Sequence, residues 1–198
     1  WRTQVTDAGL EHLGGLTQLR TLRLWGTQVT DAGLEHLKGL PQLQSLTLSG
    51  AGLTDAGLEH LKALTQLQSL TLSGPGFTDA GLKHLSRLTQ LQTLSLRSRR
   101  ITDAGMEHLN GLCQLQSLDL SVTQVTGEGL NHIRGVTSLP SLNLANTKVS
   151  PKAMKRLEVL PTLRSLVLLN GRINDEGLVY IGRLTNLETL CVSGPLVT

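Results

Sequence analysis

Residues 43–66, LQSLTLSGAGLTDAGLEHLKALTQ, recur end to end along the chain with a fixed step of 24 residues. Leu19, Leu43, Leu67, Leu91, Leu115, Leu139, Leu163 and Leu187 are one position met eight times. The columns Leu22 to Leu190 and Leu24 to Val192 follow in the same register, with no insertion or deletion. A period of this size predicts a solenoid, in which each unit is too small to fold alone and buries its apolar face against its neighbours.

The two halves of the unit have different periodicities. In L-x-x-L-x-L the last two leucines alternate with Thr47 and Ser49, the period of a strand with one buried face. In T-D-A-G-L-E-H-L-K-A-L, Leu58, Leu61 and Leu64 recur every three residues and form an apolar stripe on a helix. Thr54 is placed as the N-cap, with Leu53 and Leu58 at the spacing of a hydrophobic staple. Asp55 falls in the first turn, where the helix dipole favours an anion.

L-x-x-L-x-L-x-x-T followed by V-T-D-A-G-L resembles the leucine-rich repeat over the whole chain. Within that family it is most similar to the cysteine-containing subclass, whose repeats read I-T-D-x-G-L after the strand, and to repetitive bacterial arrays. It departs from the subclass in its shorter unit and in Thr27, Thr123 and Thr147, where Cys or Asn is expected. The resemblance implies an α/β right-handed horseshoe: parallel strands on the concave face, short helices on the convex face, and a protein ligand.

The composition fits one such domain over residues 1–198, with about eight repeats. Seven apolar columns supply roughly 50 buried side chains, each contributing about 1.5–3 kcal/mol on full burial. A net charge of +3 is mild and argues against a nucleic-acid role. Cys113 and Cys191 lie more than three repeats apart, too far for a disulfide at about 4.8 Å per strand, and are compatible with a reducing compartment. No signal peptide and no run long enough to span a membrane is visible. Trp1 aligns with Trp25 and Thr198 with Thr30, so the expectation is a chain cut within a repeat at each end and lacking caps. Such open ends also allow head-to-tail association with a second copy.

The repeat is regular through Asp7, Asp31, Asp55, Asp79 and Asp103, each followed by Ala-Gly. Gly127-Glu128 and then Pro151-Lys152 replace the Asp-Ala pair, Pro151 suiting a helix start. Gly50-Ala51-Gly52, Gly74-Pro75-Gly76, Arg99 and Gly171 interrupt the threonine column of the turn after the strand, so these turns are expected to be looser.

All six histidines fall in one column: His12, His36, His60, His84, His108 and His132. Neighbouring helices lie about 8–10 Å apart while zinc needs nitrogens within about 2.1 Å, so a role in bonding the neighbouring coil is favoured over metal binding. No cofactor motif is present, and no nucleophile has a base within reach, which argues against an enzyme.

The strand face is left for a ligand. Its columns are mostly Ser and Thr, and the departures are the candidate binding residues. Trp1 and Trp25 share a column, with Arg23 beside Trp25; Trp and Arg dominate interface hot spots. Arg97, Arg99 and Arg100 cluster beside Asp119, with Arg97 and Asp119 placed to pair across strands, and Lys148 and Arg172 extend that edge. Asn143 continues the Asp119 column, and Ala145, Val167 and Leu169 form a small apolar patch. The expected function is non-catalytic recognition of a protein through the concave face and adjoining edge. A glycan or anionic-ligand receptor and a self-associating structural array are the alternatives.

Overall fold

The structure, a computed structural model, describes residues 3–133, 135–136 and 138–194. Eight strands form one parallel sheet in chain order: β1 (Thr21–Trp25), β2 (Ser45–Ser49), β3 (Ser69–Ser73), β4 (Thr93–Arg97), β5 (Ser117–Asp119), β6 (Ser141–Asn143), β7 (Ser165–Leu169) and β8 (Thr189–Ser193). Each residue pairs with its equivalent one repeat on, as in Thr21 with Ser45, Ser45 with Ser69 and Ser69 with Thr93. The register follows from the alternation, because a slip of one residue would turn every leucine to solvent. Leu46, Leu48, Leu70, Leu72, Leu94 and Leu96 are fully buried on the inner side of the sheet.

The return path differs from a plain α-helix. Asp55–Leu58 is one α-turn, and Glu59–Ala63 continues it as a 3-10 helix; the same switch occurs after Leu82 and Met106. The apolar spacing accounts for it. Leu58, Leu61 and Leu64 are all buried, and a strict step of three is the period of a 3-10 helix, which also covers more distance per residue in a short coil. Thr54 is the N-cap, its Oγ1 accepting from the Ala56 N–H at 3.2 Å, and Pro151 opens the 3-10 helix Pro151–Val159.

The recurring spacing of T-D-A-G has a further use that a reading of one repeat at a time misses. Each aspartate reaches the next coil. Asp79 Oδ1 accepts from the Thr102 N–H at 2.8 Å and Oδ2 from the Thr102 hydroxyl at 2.7 Å. Asp7, Asp31, Asp55 and Asp103 bond Thr30, Thr54, Thr78 and Thr126 in the same way. The glycine explains itself here: a Cβ on Gly105 would stand 2.5 Å from Asp79 Oδ1 and 2.8 Å from Leu82 Cδ1. Where Asp gives way to Gly127, the partner glycine becomes alanine, and Ala153 Cβ fills the space the carboxylate leaves.

Threonines of the turn column bond the strand end before them, and one turn that interrupts the column is bonded by another means. Thr123 Oγ1 donates to the Leu120 carbonyl at 2.6 Å and Thr147 Oγ1 to Leu144 at 2.7 Å. Beside Arg99, the buried Ser98 hydroxyl donates instead to the Phe77 carbonyl of the preceding coil at 2.7 Å. Among the described residues no helix is long and apolar enough to cross a membrane.

Candidate functional site

The open face of the sheet is built from three outward columns. The first is hydroxyl in every strand, from Thr21 on β1 to Thr189 on β8. The second runs Arg23, Thr47, Thr71, Ser95, Asp119, Asn143, Val167, Cys191, and the third holds Trp25, Ser49, Ser73, Arg97, Ser121, Ala145, Leu169 and Ser193. Even small outward side chains are hemmed in by their neighbours: Thr47, Ser121 and Ala145 are buried.

Against that low background the candidate residues fall into separate groups. Arg23 and Trp25 stand exposed on β1, with Trp25 at 59% of its surface. Arg97 ends β4, three strands away, a separation of about 14 Å at the usual strand spacing. Trp25 and the arginine cluster are therefore two patches. Trp1, the other half of the expected tryptophan pair, lies outside the described residues. Leu169 is exposed at the end of β7, while Ala145 is buried, so the apolar patch is smaller than its column suggests.

The expected Arg97–Asp119 ion pair does not form. Asp119 Oδ1 accepts from the Ser121 N–H at 2.8 Å, and Oδ2 accepts from the Ser95 hydroxyl at 3.1 Å. Asn143 repeats the arrangement, its Oδ1 accepting from the Ala145 N–H at 2.9 Å. These side chains cap their own backbone two residues on, the local bond that Asp and Asn favour, and β5 and β6 end there. Sequence reasoning missed this; the signal was an Asp or Asn three residues before a left-handed position, Val122 (φ 68°) and Asn146 (φ 56°).

Beyond the strand ends, Arg99 and Arg100 are exposed on the turn, Arg100 Nη1 donating to the Pro75 carbonyl at 3.4 Å. Lys148 and Arg172 occupy the Arg100 position of later coils and are also exposed. None of these cations makes an ion pair among the described residues. On the helix side several cations are paired, Lys38 with Glu35 at 2.7 Å, Lys62 with Glu59 at 2.8 Å and Arg156 with Glu128 at 2.5 Å, while Lys83, Arg87, Lys152 and Lys155 make no ion pair among the described residues. The bonds from Lys38 and Lys62 hold the Glu35 and Glu59 carboxyls below the usual range.

The histidine column lies on that helix side. His132 Nε2 is 3.9 Å from Glu107 Oε1 of the preceding coil, and burial, then Lys83, push His84 below the ordinary imidazole value. Among the described residues no group of three His, Cys, Asp or Glu side chains could hold a metal ion. Cys113 and Cys191 are both free and exposed.

Comparison with known proteins places this geometry. The family description "Leucine-rich repeat region" matches residues 10–197. No curated protein sequence matches. Among solved structures, an internalin (inlF) of Listeria monocytogenes is similar over 96% of this chain and 51% of its own, with 28% identity and a TM-score of 0.76. This chain thus spans about half the length of that protein. Internalin C2 of the same organism is similar over 98% of this chain and 78% of its own, with 28% identity and a TM-score of 0.77. A TLR13–ssRNA13 complex shares the fold over 94% of this chain and 26% of the other, with 23% identity and a TM-score of 0.68.

Proposed function

This chain belongs to the leucine-rich repeat proteins, and we propose that it is a non-catalytic recognition scaffold that binds a protein through the open, concave face of its sheet and the adjoining turn edge. The observation that carries this reading is the contrast within the sheet. Three columns of short or capped side chains give a flat, fixed surface, from which a few long residues, Arg23, Trp25 and Arg97, stand clear. Anchors of these types dominate binding free energy, and a rigid repeat core lets them vary without disturbing the fold.

Single-stranded RNA, the ligand of one similar structure, fits the face less well. Binding of single strands without sequence readout leans on aromatic platforms, and Trp25 is the one aromatic among the described outward positions. The test is site-specific photo-crosslinking in a lysate of the source organism. A benzophenone residue at Thr71, on the open face, is expected to capture a discrete protein; one at Ala63, on the helix side, is not. Capture from Ala63 alone would refute the reading.

A further inference from the structure

Resting on that recognition role, we propose that the partner presents an acidic, extended polypeptide segment to the edge formed by Arg97, Arg99, Arg100, Lys148 and Arg172. The mild net charge hides a strong segregation. The strands and the turns that follow them, residues 21–28 and their equivalents, carry seven Lys and Arg but a single acid, Asp119. The rest of the chain carries eleven cations and fourteen acids. Asp119 is spent on Ser95 and Ser121 and offers little compensation.

Pairing differs in degree. Elsewhere Lys38, Lys62, Arg156, Arg164 and Arg183 each meet a glutamate, while Arg20, Lys83, Arg87, Lys152 and Lys155 make no ion pair among the described residues. The five of the edge are exposed, and none makes an ion pair among the described residues. The fold itself puts them in line, since Arg100, Lys148 and Arg172 share one repeat position. Two coil steps, about 10 Å, separate Arg100 from Lys148, and a third leads to Arg172. An extended chain advances about 3.3 Å per residue, so an acid about three residues beyond one at Arg100 meets Lys148, and one about two residues further meets Arg172. Four of the five are arginines, whose planar forks suit carboxylates bidentately. Nucleic acid is the competing occupant, and the edge offers it phosphate contacts without an aromatic to stack its bases.

The experiment uses a fluorescein-labelled decaglutamate peptide, read by fluorescence anisotropy at low and at physiological salt. The chain is expected to bind it, more weakly as salt rises. The Arg97→Ala/Arg99→Ala/Arg100→Ala variant should weaken binding roughly tenfold. Lys148→Ala/Arg172→Ala should weaken it less, and the helix-side variant Lys38→Ala/Lys62→Ala should match the parent. Far-UV circular dichroism checks each fold, and the Lys148/Arg172 variant stands in if the triple one does not fold. Binding no better than that of a Gly-Ser peptide, or equal loss in the helix-side variant, would overturn the proposal. Tighter binding of an oligouridylate of equal charge would give the edge to nucleic acid instead. A partner captured at Thr71 that the triple variant still binds fully would sink the acidic inference while leaving the recognition role intact.

Discussion

Removing one rung of the Asp–Thr ladder, with and without its glycine, tests whether the carboxylate and the glycine are a coupled pair. Asp79→Gly deletes an acceptor holding two half-buried bonds, to the Thr102 N–H at 2.8 Å and its hydroxyl at 2.7 Å. Bonds to a charged acceptor contribute about 1.5–3 kcal/mol each; with water able to reach Thr102, about 2–3 kcal/mol for the pair is expected. Gly105→Ala alone pushes a Cβ to 2.5 Å from Asp79 Oδ1, an overpacking that costs about 1–3 kcal/mol. The double variant reproduces the arrangement the chain already uses at Gly127 and Ala153, and the new methyl enters space the carboxylate has vacated. Its destabilisation should therefore be close to that of Asp79→Gly alone, a coupling of about 1–3 kcal/mol. Urea denaturation followed by far-UV circular dichroism measures all three variants. Costs that simply add, within about 0.5 kcal/mol, would refute the steric link between carboxylate and glycine.

Val122 holds φ 68°, where its repeat equivalents are Asn146 (φ 56°) and Asn170 (φ 54°). Asn tolerates this region and Val does not, so Val122→Asn should stabilise by about 1 kcal/mol, and a lowered melting temperature would contradict that account. Burial lowers the His84 pKa, so the unfolded chain takes up this proton first as pH falls. Stability from this group is full above the ordinary imidazole value of 6.5 and is lost below it; His84→Gln should flatten a melting-temperature profile in that window. For Asp7, burial raises the pKa but the two bonds from Thr30 outweigh it, leaving the carboxyl below 3.8. Its contribution is present above that value and lost as pH falls through the lowered pKa, an acid loss that Asp7→Asn should remove. Trp25→Ala should change stability by less than about 0.5 kcal/mol, since the ring is exposed. If a glycan array binds the parent chain and not this variant, Trp25 is a sugar platform and the acidic edge a separate matter.

The strands were legible because a leucine every second residue admits one register, and the observed pairing follows the repeat step strand by strand. The 3-10 return was legible in principle: Leu58, Leu61 and Leu64 step by three, and only the habit of a 3.6-residue turn hides it. The ladder is harder, because its partners lie 23 residues apart and no local propensity links them. A trace survives in the joint loss of Asp at 127 and Gly at 153, two departures one coil apart that read singly as drift. Asp119 and Asn143 misled for the opposite reason. Their column placed them correctly on the open face, but short polar side chains find their own backbone before they find a ligand.

Ladder and binding edge answer to different constraints, and this makes them separable. The carboxylate rungs tie coil to coil on the helix side, where a change in one residue must be met by a change in the next coil, as Gly127 and Ala153 illustrate. Arg97 and Arg99 carry no such obligation; the buried bond their turn requires comes from Ser98, whose hydroxyl reaches the Phe77 carbonyl. Substituting Ser98→Ala should therefore loosen the turn and lower stability by about 1–3 kcal/mol, since the Phe77 carbonyl loses its partner. Replacing Arg97 and Arg99 should leave the unfolding midpoint in place while altering acidic-peptide binding. A fall in that midpoint equal to the Ser98→Ala effect would mean that the arginines hold the turn themselves, and their exposure would then be no evidence of a partner.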